Sequence, residues 1–245
     1  MFNLSKYEYY EDINLGVLKH RPDGKKILDV GCGNGLMGSL YKQKNNKYFG
    51  IDIAYDMKNV AGKRLDKFYN SDVTDYKKIT KLLGKEKFDM IIFADVLEHL
   101  ADPVAVVNFY KNFLKKEGEI CISVPNIAVF YTRIGLLLGK FNYGPCGILD
   151  KTHLRFFTKN NLLRLGKDTD LELVSLDVTP GIARFIQFVL RDIVKSSNKQ
   201  NRRGWIDTPI YKFYTKFVYY PEYLFCKLWP GLLAYQYVGI FKRKS

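Results

Sequence analysis

The stretch Ile27-Leu-Asp-Val-Gly-Cys-Gly-Asn-Gly35 decides how the rest of the chain is interpreted. Its first half is short and apolar, as a buried strand is, and its second half places three glycines where a helical pattern begins. Glycine permits a positive φ and a close approach of the backbone to a ligand. The first N–H groups of a helix have no partner within that helix. The stretch therefore predicts a strand, a ligand-binding loop and a helix, with Gly31, Gly33 and Gly35 at the ligand.

Short apolar segments and helical patterns alternate through the first 180 residues. Such alternation predicts a doubly wound α/β domain whose parallel strands are joined by right-handed crossovers. We expect strands at residues 26–30, 48–52, 67–71, 88–93, 119–124, 171–178 and 234–242, and helices at residues 36–43, 57–65, 76–83 and 104–115. Ligands of these sheets bind at the carboxyl ends of the strands, where the candidate site residues lie.

Three carboxylates accompany the glycine loop. Asp52 ends the second expected strand, 17 residues after Gly35, where it can accept two hydrogen bonds from a ribose diol. Asp72 follows the third strand, where it can accept from an adenine amino group, and Asp29 can meet a cationic amino-acid group. Residues 33–38 also satisfy G-x-G-x-x-G, so a dinucleotide site and a purely structural turn are the alternatives at this point.

The chain has three histidines, and two of them follow strand ends. His99 comes after the fourth expected strand and His153 after the fifth, whereas His20 precedes the first strand and is expected on the surface. An imidazole with an ordinary pKa near 6.5 suits a general base at neutral pH. Each of the two is either that base or a polar side chain that fixes a loop. Arg155 either binds an acidic acceptor group or pairs with Asp150.

The cysteines show no C-x-x-C spacing, which favours buried thiols in a reducing compartment over a disulfide framework or a zinc site. They are Cys32, Cys121, Cys146 and Cys226. We expect no metal ligands. Residues 1–12 do not resemble a secretory signal, and no apolar run reaches the roughly 18 residues of a membrane span. The expected location is the cytoplasm, including its membrane surface.

The last 65 residues differ in composition from the rest. Residues 181–245 hold 12 Lys/Arg against 3 Asp/Glu, and 15 of the 37 aromatic residues. We expect a core at 1–180, a basic aromatic helical insertion at 181–232, and a final strand with a basic tail at 233–245. Within the insertion we expect a helix at 182–195, a polar loop at 196–203, and an aromatic segment at 208–229 broken at Pro221. Its aromatics either dock on an anionic membrane, or pack on the sheet as a lid or a dimer face.

Three further motifs narrow the interpretation: Phe88–Leu100, Ser123–Asn126 and Gly147–Thr158. Together with Ile27–Gly35 they resemble the class I S-adenosylmethionine (SAM)-dependent methyltransferases. Within that family they are similar to a bacterial sub-group that accompanies glycosyltransferases in surface-polysaccharide gene clusters, and more distantly to the quinone O-methyltransferases. The resemblance covers roughly residues 5–180.

The resemblance implies a Rossmann-like, mostly parallel seven-stranded sheet whose last strand is antiparallel. It also implies SAM-binding roles: Gly31, Gly33 and Gly35 at the methionine part, Asp52 at the ribose, Ile53 beside the adenine, Asp72 and Val73 on the adenine side, and Ala94 and Asp95 beneath the cofactor. On the acceptor side we expect His153 and His99 as candidate catalytic residues. Acceptor contacts are expected at Asn126, Asp150 and Arg155.

The expected activity is O-methylation of a glycan or small-molecule hydroxyl. A quinone-type small-molecule acceptor is one alternative. The net charge of +14 suggests RNA as another, but the chain shows no known RNA-binding module, and we expect no nucleic-acid partner. A non-catalytic binding module is disfavoured by the intact glycines and by Asp52. The sequence carries no signal for an oligomeric state.

Overall fold

The computed structural model describes residues 13–54, 58–181 and 209–244. Within these ranges seven strands form one sheet: β1 (Lys26–Val30), β2 (Lys47–Asp52), β3 (Lys67–Asn70), β4 (Phe88–Ala94), β5 (Leu114–Pro125), β6 (Leu171–Pro180) and β7 (Ala234–Arg243). Their order is β3-β2-β1-β4-β5-β7-β6. The first five strands are parallel, and β7 runs antiparallel to both β5 and β6. The expected seven-stranded sheet with an antiparallel last strand is confirmed.

Helices connect the strands. They are α1 (Leu15–Lys19), α2 (Leu36–Tyr41), α3 (Lys58–Arg64), α4 (Tyr76–Leu83), α5 (Pro103–Lys111), α6 (Phe130–Leu137), α7 (Lys159–Asp168), α8 (Pro209–Tyr214), α9 (Tyr220–Leu228) and α10 (Pro230–Leu233). Two 3₁₀ turns lie at Lys42–Lys44 and Leu97–His99, and a π-helical turn at Thr215–Tyr219 joins α8 to α9.

The start of α5 follows from its sequence, but its end does not. The Asp102 side chain accepts from the Ala105 N–H, and proline at the first position needs no partner for an N–H. The expected end at residue 115 is wrong: the helix stops at Lys111. Leu114 is buried in β5 opposite Phe88 of β4, so pairing in the sheet outweighs the helical pattern.

Two apolar cores cover the two faces of the sheet. Alternate residues of β1 separate accordingly: Leu28 and Val30 belong to the larger cluster, and Ile27 belongs to the smaller one. The larger cluster includes residues of α4, α5 and α7, and the smaller includes residues of α1, α2 and α3. Asp29 lies on the same face as Ile27, so a carboxylate is buried beside an apolar core.

The aromatic segment before β7 is helical and has two faces. Its buried face consists of Tyr214, Tyr219, Tyr223 and Cys226, and its exposed face of Phe213, Phe217, Tyr220, Leu224, Phe225, Leu228 and Trp229. The expected break at Pro221 is wrong, because that proline lies in the first turn of α9, where its missing N–H costs nothing. The expected helix at 182–195, the loop at 196–203, Trp205 and the Tyr211 side chain lie outside the described residues. The division into three parts stays a prediction.

Among the residues that the structure describes, no helix is both long and apolar enough to cross a bilayer. All four cysteines are free thiols in the structure, and the expectation that they are buried is wrong for Cys146. Cys32, Cys121 and Cys226 are buried, and Cys146 is exposed.

Candidate active site

The three glycines of the loop after β1 all have a positive φ: +82° at Gly31, +52° at Gly33 and +73° at Gly35. This left-handed region favours glycine. A Cβ at Gly31 would lie 2.8 Å from Cγ2 of Val96, in the turn after β4. The Gly31 N–H also donates to the Ile51 carbonyl at 2.9 Å. The loop is thus packed against the ends of β2 and β4, as a cofactor cradle must be.

Asp52 ends β2 beside this loop and is only 4% exposed. Its Oδ2 accepts from the Gly33 N–H at 2.7 Å, and its Oδ1 accepts from the Ala54 N–H at 2.9 Å. The carboxylate therefore supports the glycine loop directly, in addition to the ribose contact that the resemblance implies.

Asp29 is buried one strand away, and its Oδ2 accepts from the Tyr48 hydroxyl at 2.8 Å. Its Oδ1 accepts no hydrogen bond from any side chain or backbone group that the structure describes. Burial raises the pKa of Asp29 to about 7, although the hydrogen bond from Tyr48 opposes the shift. A buried carboxyl with an unused oxygen fits the cationic amino-acid end of SAM, which would supply the missing donor.

The three residues expected on the adenine side differ in their exposure and in their hydrogen bonds. Ile53 follows Asp52 and is 43% exposed, which suits the wall of a planar ring. Val73 is buried, and its carbonyl accepts from the Tyr110 hydroxyl at 3.0 Å. Asp72 is exposed, but its Oδ1 accepts from both the N–H and the hydroxyl of Thr74 at 2.7 Å. An adenine contact by Asp72 would use its other oxygen.

The carboxyl end of β4 lies between the glycine loop and the histidines. Ala94 is half-buried at the last position of the strand. Asp95 follows it with a φ of +56°, a backbone conformation that few residues other than glycine adopt. The chain then turns into the 3₁₀ segment that carries Glu98 and His99. These neighbours connect the cofactor side of the site to the acceptor side.

Glu98 is a buried carboxyl that the sequence analysis did not single out. It is 1% exposed, and its Oε2 has no hydrogen-bond partner among the described residues. Burial raises the pKa of Glu98 well above its usual range, and the nearby charges of Asp95 and Asp150 act in the same direction. Burial thus favours the neutral form of Glu98, which lies beside both histidines.

His99 and His153 meet as the sequence predicts, with ring centroids 4.7 Å apart in an edge-to-face arrangement. The Nδ1 of His153 lies 3.0 Å from the Ile148 carbonyl, so it carries the proton and donates. The Nδ1 of His99 lies 3.0 Å from the Thr152 hydroxyl and 3.3 Å from the Thr152 carbonyl. Nδ1 therefore carries the proton in both rings, and Nε2 of each ring is the basic nitrogen.

The pKa values of both histidines are lowered, first of all by burial. For His99, the adjacent His153 lowers the pKa further. Both imidazoles are consequently neutral at pH 7, the protonation state that a general base requires.

Asp150 organises the loop that holds these rings. It is 2% exposed, and its Oδ1 accepts from the Thr152 N–H at 2.8 Å and from the Thr152 hydroxyl at 2.7 Å. That hydroxyl donates to Asp150, so it can accept from Nδ1–H of His99. The chain Asp150, Thr152 and His99 fixes the orientation and the tautomer of the His99 ring. Asp150 thus orients a candidate base, in addition to any acceptor contact.

Asn126 and Arg155 both make backbone contacts in the structure, and their expected acceptor contacts stay predictions. Asn126 is fully buried: its amide donates to the Ala234 carbonyl at 2.9 Å, and its Oδ1 accepts from the Ala128 N–H at 3.0 Å. It therefore joins β5 to the start of β7. The guanidinium of Arg155 donates through Nε and Nη2 to the Ala101 carbonyl. This backbone contact differs from both alternatives that the sequence offered, acceptor binding and pairing with Asp150.

Within the described ranges, one group of side chains has the composition of a metal site. The ligand atoms of Glu98, His99 and His153 all lie within 4.8 Å of one another. Two imidazoles and one carboxylate are ordinary ligands of divalent transition metals. The expectation that the protein has no metal ligands stays a prediction.

Sequence reasoning missed three residues that shape the site: Tyr48, Glu98 and Thr152. Glu98 and Thr152 lie inside motifs that were recognised, each next to or near a candidate histidine, so their polarity was an available signal. Tyr48 was assigned to a strand as an apolar residue, and no local pattern predicts that its hydroxyl reaches across to Asp29.

Comparison with known sequences agrees with this geometry. A family model described as a methyltransferase domain matches residues 5–176. The ubiquinone biosynthesis O-methyltransferase of Idiomarina loihiensis is 30% identical over 172 residues, covering 67% of this chain and 70% of that protein. Its namesake from Glaesserella parasuis is 34% identical over 109 residues, covering 42% of this chain and 46% of that protein. The chain thus matches less than half of the second relative.

Solved structures show the same fold. A SAM-dependent methyltransferase from Archaeoglobus fulgidus superposes with a TM-score of 0.54 at 19% identity, covering 89% of this chain and 86% of that one. The [4+2]-cyclase SpnF superposes with a TM-score of 0.57 at 14% identity, covering 93% and 78%. Because one of the two is a cyclase, the fold alone does not identify the reaction. The match to the family model spans the glycine loop and both strand ends that flank it, so the chain belongs to the methyltransferase-domain family and is a SAM-dependent methyltransferase.

Proposed function

We propose that the protein methylates a hydroxyl group of a glycan or small molecule, in the assembly of a bacterial surface polysaccharide. The observation that supports a hydroxyl acceptor is the pair of neutral histidines with Nε2 available. A thiol or amine acceptor needs little help beyond alignment, whereas a hydroxyl must lose its proton to a positioned base. The relatives named as O-methyltransferases also support an oxygen acceptor.

When bound, SAM supplies a methyl group activated by its sulfonium charge. The chain's own part is to orient the acceptor, exclude water and take one proton, and orientation alone can contribute about 7–11 kcal/mol. In this proposal Nε2 of His153 accepts the hydroxyl proton while its Nδ1–H remains on the Ile148 carbonyl. The Asp150–Thr152 pair holds His99 beside it, and Asp29 and Asp52 hold the cofactor.

A pocket whose lining includes Ile148, the partner of His153, offers room for the acceptor. It has a volume of about 300 Å³ and is lined by Tyr131, Thr132, Gly135, Lys140, Asn142, Ile148 and Leu149. Ile148 belongs both to this lining and to the contact that fixes His153. The lining combines apolar surface with Lys140 and Asn142, so it suits an acceptor that has an apolar body and a few polar groups.

A quinone-type small-molecule acceptor is the second candidate, because the curated relatives are ubiquinone biosynthesis O-methyltransferases. A phenolic hydroxyl ionises far more readily than a sugar hydroxyl, since a phenol such as that of Tyr has a pKa near 10. The two classes therefore differ in how strongly turnover should depend on His153.

The decisive experiment supplies purified protein with SAM that carries a deuterated methyl group. Glycan, lipid and quinone fractions of bacterial extracts are offered separately, and mass spectrometry searches each fraction for a product heavier by the labelled methyl. We expect labelling in the glycan or glycolipid fraction. Label confined to the quinone fraction would support the second candidate, and label in no fraction would contradict both.

The same assay tests the base once a product is known. His153→Ala should lower turnover by about 10²–10⁴-fold while SAM affinity stays close to that of the wild type. His20→Ala is the matched control, because His20 lies beside Asp177 of β6, away from the histidine pair. A His153→Ala variant with near-normal turnover would assign that ring a structural role.

We also propose that the exposed face of the aromatic segment docks on an anionic membrane surface, where a lipid-linked acceptor would be presented. Support comes from seven exposed large hydrophobic residues between Phe213 and Trp229. Two exposed lysines, Lys216 and Lys227, lie in the same segment. Tyr and Trp favour the membrane interface, and each basic residue near anionic lipid contributes about 1 kcal/mol. The buried tyrosines of the same segment pack on the core, as the lid alternative expected.

A further inference from the structure

Asp95 occupies a joint between the two halves of the active site. On one side, the next residue, Val96, packs closely against Gly31. A Cβ added to Gly31 would lie only 2.8 Å from Val96 Cγ2. On the other side, the same turn continues into the segment that carries Glu98 and His99. The positive φ of Asp95 is strained for a residue that has a Cβ. Other interactions must therefore stabilise the turn.

Neutral side chains from three parts of the fold converge on the Asp95 carboxylate. Gln236 of β7 donates from Nε2 to Oδ1 at 2.6 Å. Ser123 of β5 donates to the same oxygen at 3.3 Å, and Asn14, the cap of α1, donates to Oδ2 at 3.3 Å. Asn14, Ser123 and Gln236 are each 5% exposed or less. Burying this many polar groups is costly unless their hydrogen bonds are made, so the arrangement specifies one geometry.

The network extends one step further and has a fixed direction. Thr179 of β6 donates to Oε1 of Gln236 at 3.2 Å, and Asn14 donates to the Ser123 hydroxyl at 2.8 Å. With its oxygen occupied by Thr179, the Gln236 amide presents its NH₂ group to Asp95. A glutamine in an otherwise apolar stretch of β7 thus has a defined donor role.

We propose that Gln236, assisted by Asn14 and Ser123, is a positioning residue for methyl transfer. By holding Asp95, it lets the turn after β4 keep the glycine loop and the histidine pair in a fixed relative position. If the Asp95 carboxylate moves, Val96 moves against Gly31 and the cofactor loop is displaced. Gln236 touches neither the cofactor nor the acceptor in this proposal. The inference rests on the cofactor site and is independent of the acceptor class.

The test replaces the donor by a group that can be switched. In Gln236→Glu, a carboxylate opposite Asp95 repels it at pH 8, whereas a protonated carboxyl at pH 5.5 can donate as the glutamine does. Gln236→Leu lacks the donor at every pH. Thr179→Val is the matched control, because Asn14 also donates to Oε1 of Gln236, at 3.4 Å, so the amide keeps its orientation and its donation to Asp95. The readout is the affinity for S-adenosylhomocysteine by calorimetry, with thermal unfolding measured in parallel.

We expect Gln236→Glu to bind S-adenosylhomocysteine about tenfold more weakly than the wild type at pH 8, the loss of one hydrogen bond to a charged group. At pH 5.5 its affinity, relative to that of the wild type at the same pH, should return to within about threefold. The wild-type profile is needed as the reference because Glu98 and His153 also sense the charge of Asp95. Thr179→Val should bind like the wild type at both pH values.

Two results would overturn the proposal. One is an unchanged affinity of Gln236→Glu at both pH values. The other is an equal loss of affinity at both pH values together with a lowered melting temperature, which would make Gln236 a structural residue. If Gln236→Leu does not fold, the pH comparison in Gln236→Glu still decides. An acceptor assay is not needed, so failure here is distinguishable from failure of the proposed acceptor.

Discussion

Asp52 shows how one side chain can serve both the protein and its cofactor. Because it accepts from the Gly33 and Ala54 N–H groups, Asp52→Ala should disorganise the glycine loop as well as remove the ribose contact. We expect SAM affinity to fall by at least tenfold, since each buried charge-assisted hydrogen bond contributes roughly 1.5–3 kcal/mol. Calorimetry measures the change. Asp75→Ala, which removes only the exposed cap of α4, should leave the affinity unchanged.

The buried carboxyl of Asp29 predicts an unusual dependence of stability on pH. Its pKa is about 7 in the folded protein and near 3.8 when unfolded, so the folded state binds more protons between these values. The stability of the cofactor-free protein should therefore fall as pH rises from 4 to 7, by roughly 4 kcal/mol in the limit of full deprotonation. Asp29→Asn should remove this slope and melt at a higher temperature than the wild type at pH 8.

Saturating SAM provides the control for that prediction. If the cationic end of SAM pairs with the Asp29 carboxylate, the cofactor should stabilise the wild type more at pH 8 than at pH 5.5. Asp29→Asn should lose most of this difference. A variant that binds SAM as the wild type does at pH 8 would contradict the assigned role.

Sequence reasoning at the residue scale reaches furthest where the chemistry is local. The three glycines, Asp52 and the two histidines follow from motifs at strand ends. The structure places Gly33 beside Asp52 and the two histidines beside each other, and their roles stay predictions. Asn126 and Arg155 belong to equally clear motifs, yet the structure directs them to backbone carbonyls at Ala234 and Ala101. Hydrogen bonds between distant segments decided these cases, and no local pattern encodes them.

At the scale of elements, α9 is held to the core by a buried ionic cluster. The Tyr223 hydroxyl donates to Asp177 of β6 at 2.6 Å, and Lys19 of α1 lies 2.9 Å from the same carboxylate. Burial alone would raise the pKa of Asp177, but the neighbouring His20 and the hydrogen bonds from Tyr223 and Lys19 outweigh it and lower the pKa below its usual range. The cluster thus ties three elements together.

Tyr223→Phe should therefore destabilise the protein by about 1.5–3 kcal/mol, because it removes a hydrogen bond to a buried carboxylate. The lowered pKa sets the pH range: the loss should be complete above pH 4 and should shrink as pH falls and Asp177 becomes protonated. Urea unfolding measures it. Tyr220→Phe, whose ring is 56% exposed, is the matched control and should be neutral. Equal effects of the two variants would contradict the prediction.

Strands were easier to predict from the sequence than helix ends. β1 was expected at residues 26–30 and is found there, and the remaining strands overlap the predicted ones, although β5 begins five residues earlier than expected, at Leu114. The end of α5 was missed because Leu114 gains more from pairing with β4 than from continuing a helix. The family resemblance implied an antiparallel last strand, but its place between β5 and β6 was not predicted, since periodicity within a strand does not specify its neighbours.

At the scale of the whole molecule, membrane docking is directly testable by co-sedimentation with liposomes. We expect the protein to sediment with vesicles that contain anionic lipid and to remain in the supernatant with neutral ones. Replacing Leu224, Phe225 and Trp229 together by serine should abolish sedimentation. Val174→Ser, on the exposed surface of β6, is the control. If the wild type stays in the supernatant with both kinds of vesicle, the exposed face has another partner.

The position of β7 between β5 and β6 has a consequence for synthesis on the ribosome. Residues 181–233 separate the end of β6 from the start of β7 along the chain. Because translation adds about 5–20 residues per second, several seconds pass between the synthesis of β6 and that of the strand that joins it to the sheet. During that interval one edge of β5 has no partner, and unpaired edges are where nascent chains associate wrongly. Gln236 arrives with β7, so the enzyme gains its ordered active site only in the last step of its own assembly.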